Sequence, residues 1–113
     1  MCSQSQAIGI LGEVYTACGR IFGSALKEGY LYGSYARGDF HEESDVDILL
    51  TVDMEPEAVS SLRSGIGLIS SDLSLKHDVT VSVTVKPYIQ FRRYADILPY
   101  YRNVLGEGIR YAS

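Results

Sequence analysis

The sequence predicts a small α/β or α+β domain, a short sheet with helices covering one of its faces. Three observations point there. Apolar residues recur at helical spacing from Ser5 to about Phe22 and again from Val59 to Leu73. Residues 78–85 alternate strictly between valine and polar residues, the signature of a half-buried strand. Asp45 to Val52 is a compact β-branched run with abrupt polar flanks. The 113 residues suit one domain, expected over 1–113. Apolar residues make up 46% and charged residues 21%, a balance that supports a core and excludes a disordered chain.

The elements follow in order. Ile8, Leu11, Val14, Tyr15, Cys18, Ile21 and Phe22 form one face of the first helix, with Ser3 or Ser5 as its cap. Gly9, Gly12 and Gly19 weaken it, so tertiary packing must hold it. Gly29 breaks the chain, and Tyr30-Leu31-Tyr32 reads as a short strand ending at Gly33. A polar stretch from Ser34 to Ser44 leads to the second strand. Asp53 then caps a helix that tolerates Pro56 in its first turn and carries Val59, Leu62, Ile66, Ile69 and Leu73 at steps of three and four. In the third strand Val79, Val81, Val83 and Val85 face the core, while Asp78, Thr80, Ser82 and Thr84 face away. Pro87 opens a short helix with Ile89, Phe91, Tyr94 and Leu98; Pro99 interrupts it, and one more turn ends at Gly106.

Composition narrows the function. The net charge is −4 and the ten basic residues are scattered, which argues against a sequence-independent grip on nucleic acid. Cys2 and Cys18 make neither a disulfide framework nor a zinc motif; Cys2 falls in a segment expected to fray and Cys18 on a buried helix face. No apolar run approaches the roughly 20 residues that span a bilayer, and no leader pattern opens the chain, so a cytoplasmic protein is expected. His41 and His77 read as surface residues, and the tyrosines crowding the C-terminus as packing or a partner surface.

Chemistry concentrates between Gly33 and Asp47. Strand period two puts Asp45 and Asp47 on one face, with Cα atoms roughly 6.5 Å apart, so that their carboxylates can converge on one cation. Side by side they repel, and a divalent metal removes that penalty. Mg²⁺ suits them, because it takes carboxylate oxygens while keeping positions for water and phosphate. Gly33 lets backbone approach a bulky anion, and a helical first turn from Ser34 to Arg37 would aim free N–H groups at phosphate oxygens. The Ser34 hydroxyl adds a donor, and Arg37 adds charge.

Gly33-Ser34, ten further residues and then Asp45-Val46-Asp47 resembles the signature of the DNA polymerase β-like nucleotidyltransferases. The fuller string Gly33-Ser34-Tyr35-Ala36-Arg37-Gly38-Asp39 with Ser44-Asp45-Val46-Asp47 is similar to their minimal nucleotidyltransferase (MNT) branch. The resemblance implies a small mixed sheet with helices on one side. It implies transfer of a nucleoside monophosphate, AMP foremost, from an NTP to a hydroxyl, with Asp45 and Asp47 as Mg²⁺ ligands and Gly33 and Ser34 on the β- and γ-phosphates. The family usually carries a third carboxylate on a following strand. Counting back from Lys86-Pro87 puts that position near Ser82, and Asp78, four residues earlier on the same face, takes the role if the register is shifted. Members of the branch are often paired with a helical HEPN-type toxin, so the resemblance implies such a protein as acceptor. A non-catalytic antitoxin that acts by contact, and an antibiotic-type adenylyltransferase, are the alternatives.

Overall fold

The computed structural model describes residues 2–111; residues 1, 112 and 113 of the expected 1–113 domain lie outside them. Helix α1 (Gln4–Phe22) starts at Ser3, whose hydroxyl accepts from the Gln6 N–H while the Gln6 side chain accepts from the Ser3 N–H, a reciprocal cap. A short 3₁₀ turn (Gly23–Ala25) leads into β1 (Leu26–Tyr32), followed by α2 (Ser34–Arg37) and β2 (Val46–Val52). Then come α3 (Pro56–Ser61), α4 (Arg63–His77), β3 (Val81–Pro87), α5 (Tyr88–Tyr94), α6 (Pro99–Glu107) and β4 (Ile109–Arg110). The sheet order is β3-β2-β1-β4. Strand β2 runs antiparallel to β1 and parallel to β3, and β4 runs antiparallel to β1, which makes the sheet mixed.

Strand period two divides the core. Val46, Ile48, Leu50 and Val52 point to the face covered by α1 and α4, where Ile10, Leu11, Val14, Cys18 and Ile66 meet them. Cys2, expected to fray, is 9% exposed and belongs to this core. Tyr30 and Leu49 point the other way, into a second cluster with Phe91, Tyr101 and Val104. Helices therefore lie on both faces rather than one. The reason is connectivity: β4 pairs at the opposite edge from β3, so α5 and α6 must carry the chain back across the sheet.

Local chemistry moved other boundaries. The helix expected across residues 59–73 is two, broken at Leu62, and its N-cap is Glu55 rather than Asp53. Strand β3 begins at Val81, because α4 runs to His77 and residues 78–80 reverse the chain. Asp78 is the C-cap of α4 at φ +52, a left-handed conformation that aspartate tolerates better than most residues. Tyr94, on the helix expected after Pro87, is 37% exposed. Strand β1 starts at Leu26, four residues ahead of the expected Tyr30, and β4 was not foreseen. No described helix is long and apolar enough to cross a membrane.

Candidate active site

The site is built where β1 ends. Gly33 leaves the strand at φ +77, and α2 starts at Ser34. The Ala36 and Arg37 N–H groups both donate to the Gly33 carbonyl at 3.1 Å, whereas those of Ser34 and Tyr35 precede the first intrahelical partner. This short helix is held from outside. Tyr35 is buried and stacks on Phe40 at 4.4 Å between ring centroids, and Gln4 Nε2 donates to the Tyr35 carbonyl at 2.9 Å. Gly38, at φ +89, ends it. His41 and Ser44 then close a turn, the His41 N–H donating to Ser44 Oγ at 2.9 Å, and the chain enters β2.

Asp45 is exposed just before β2, and Asp47 lies half-buried on the strand. Asp47 sits between Tyr32 on β1 and Ser82 on β3 in the cross-strand row. Its carboxylate rests against the elbow: a Cβ placed on Gly33 would lie 2.6 Å from Asp47 Oδ2. Glycine is thus required twice, for its positive φ and for the space that Asp47 fills. Burial, and then the charge of Asp45, push the Asp47 carboxyl above its ordinary range, with Arg37 pulling the other way. Arg37 is ion-paired at the surface with Asp39 at 3.2 Å and Glu107 at 3.5 Å.

The structure brings Gly33, Asp45 and Asp47 together, with Ser34 as the first residue of α2 beside them and Arg37 one turn away. It does not bring Asp78. That residue caps α4, three positions before β3, and Ser82 is the residue aligned with Asp47. Among the described residues no three His, Cys, Asp or Glu side chains gather as a metal site. Two hard oxygen donors, one of them half-buried with its pKa raised by burial and then by the other's charge, still fit Mg²⁺, which commonly takes one or two carboxylates and completes its shell from water and substrate phosphates.

Sequence reasoning passed over other groups on this face. Tyr32 Oη and Tyr100 Oη are 2.7 Å apart, with Thr84 beside Tyr32. Tyr32, Gly33, Arg37, Tyr100, Asn103 and Glu107 line a cavity of about 270 Å³. Tyr32 was findable from its place directly before Gly33; the approach of Tyr100 depends on how α6 packs. Lower on the same face Glu28, 3% exposed, accepts from Tyr30 Oη at 2.7 Å, from Thr51 Oγ1 at 3.1 Å and from Arg92, with Arg110 at 3.7 Å.

A mixed sheet that sets an Asp-x-Asp pair against a glycine–serine elbow defines an enzyme class, the nucleotidyltransferases. The chain belongs to the nucleotidyltransferase domain family, whose profile matches residues 12–110. It is 37% identical over 83 residues to MJ0604 of Methanocaldococcus jannaschii, named a putative protein adenylyltransferase, covering 74% of this chain and 75% of that one. MJ0141 of the same organism, with the same description, is 39% identical over 77 residues, covering 68% and 76%. Two solved structures share the fold. One is a toxin–antitoxin with AMP-PNP (TM-score 0.56, 18% identity, covering 94% of this chain and 73% of that one). The other is a mutant of the toxin–antitoxin MntA-HpeT (TM-score 0.51, 16% identity, covering 98% and 74%).

Proposed function

We propose that this nucleotidyltransferase moves AMP from Mg²⁺-bound ATP to a hydroxyl on a partner protein. The observation that supports the reading is the contact between Asp47 and the Gly33 elbow, a carboxylate donor set against the turn that opens α2 with its free Ser34 and Tyr35 N–H groups. Gly33 and Ser34 hold the β- and γ-phosphates, and Asp45 and Asp47 hold Mg²⁺. When bound, the ion neutralises charge at the α-phosphate and the departing pyrophosphate. The acceptor oxygen bonds to the α-phosphorus and gives its proton to solvent as the bond to the bridging oxygen breaks and pyrophosphate leaves. Arg37, one turn along α2, swings from Asp39 and Glu107 to the triphosphate, exchanging exposed ion pairs of small worth for a phosphate contact.

The description of MJ0604 and MJ0141 as adenylyltransferases of proteins supports ATP as donor and protein as acceptor. The toxin–antitoxin neighbours are in keeping with a toxin as that protein, and the resemblance to the MNT branch suggests one of the HEPN type. Purified chain, labelled ATP and Mg²⁺ with the product of the neighbouring gene, the candidate toxin, should give a labelled toxin. Asp45→Asn with Asp47→Asn should abolish the label. An unlabelled toxin under all conditions rejects the reading.

Ser82 opposite Asp47, where a third carboxylate would serve as base, favours a second reading: neutralisation of the partner by contact alone. The same double variant separates the two. Contact inhibition survives it; modification does not.

A further inference from the structure

Hydroxyl-bearing side chains crowd the face that carries Asp47. Tyr32, Asp47 and Ser82 share one cross-strand row, and Tyr30, Leu49 and Thr84 the next. The Tyr32 hydroxyl stands beside Thr84, so its ring leans across β2 toward β3. Tyr100, near the start of α6, meets it there, hydroxyl to hydroxyl at 2.7 Å. The rings are 5.6 Å apart, and Tyr100 is also braced edge-on by Tyr101 at 5.6 Å. Tyr100 is nevertheless 44% exposed and lines the same cavity as Gly33 and Arg37.

That placement suits an internal acceptor. A triphosphate on the Gly33–Ser34 elbow would extend into the cavity that Tyr100 lines. Tyr32 is half-buried and pinned within its row. Tyr100 has the solvent access that an acceptor needs.

We propose that Tyr100 is an internal acceptor, so that the chain adenylylates itself within one molecule; this rests on the nucleotidyl-transfer reading above. Tyr100 Oη bonds to the α-phosphorus, the bond from that phosphorus to the bridging oxygen breaks, and pyrophosphate leaves. The phenolic proton passes to solvent water at the exposed rim. The product sets an anionic phosphodiester and a nucleoside in the cavity beside Gly33, Arg37 and Glu107, where they obstruct a second triphosphate. Self-transfer is therefore self-limiting, at one group per chain.

The full chain with ATP and Mg²⁺, and no partner, tests it by intact mass and peptide sequencing. The expected result is a gain of one adenylyl group, mapped to Tyr100, with a rate per molecule independent of protein concentration. The gain should be absent in Tyr100→Phe, which keeps the ring, and in Asp47→Asn, both shown folded by circular dichroism. A label that persists in Tyr100→Phe, or a rate that falls on dilution, overturns the proposal. A chain whose melting temperature rises with Mg²⁺ and ATP but which gains no mass overturns it too, and leaves transfer to a partner standing. A chain that responds to no Mg²⁺–NTP overturns both.

Discussion

Asp47 holds the tension in this site. Its pKa is raised from the ordinary 3.8 by burial and by Asp45, so the charged carboxylate is less favourable in the folded, metal-free chain than in the unfolded one. The sign follows: Asp47 diminishes stability as pH rises through the carboxylate range, and the loss is complete above its folded pKa. Asp47→Asn should therefore raise the metal-free melting temperature at neutral pH, and the gain should fade when melting is repeated below the carboxylate range. A variant that melts lower at neutral pH contradicts this. Gly33→Ala tests the other side of the contact. A left-handed alanine costs about 1–3 kcal/mol, and its Cβ would push on Asp47 Oδ2 from 2.6 Å. Displacing a reacting group by about 1 Å can cost 100-fold in rate, so transfer should fall by roughly that factor while far-UV circular dichroism is kept.

Helix α5 is tied to the sheet by the buried Glu28, which Arg92 neutralises from outside. Arg92→Ala strands that carboxylate with two hydroxyl donors and a more distant Arg110, and should cost about 3 kcal/mol, read from the urea midpoint. Arg92→Lys should recover part of it; an unchanged midpoint in Arg92→Ala sinks the assignment. None of this network was legible in the sequence. Glu28 precedes a glycine in a stretch that reads as a turn, and its partner lies 64 positions on. The Gly33–Asp47 segment was legible, because its turn, its glycines and its strand alternation are set by neighbours within fifteen residues. Helix α1 and the β2 core face were legible through periodicity alone. Asp78 misled for the opposite reason: alternation continued past the true strand start, and only the packing of α4 shows that it caps a helix. The cover on the second sheet face depends on β4, two residues too short to leave a pattern.

Triphosphate and metal would join parts that the metal-free chain links only lightly. Helix α2 is four residues long and is held by buried Tyr35, by Gln4, by the Gly33 elbow and by the exposed Arg37–Glu107 pair, whereas β1 and β2 are the central strands. A ligand held at once by the α2 amides and by the β2 carboxylates adds its binding energy to the folded state alone. At a hundred times its dissociation constant that is about 2.7 kcal/mol, and for a domain near this size each kcal/mol moves the midpoint by about 4–8 °C. Mg²⁺ with ATP should therefore raise the melting temperature by roughly 10 °C or more. Chelating the metal should remove most of the rise, because bare triphosphate would face Asp45 and Asp47 with its charge uncompensated. Asp45→Asn with Asp47→Asn should erase the metal's share while sparing whatever the α2 amides hold by themselves. Equal rises with and without Mg²⁺ would mean that the carboxylate pair takes no part in binding.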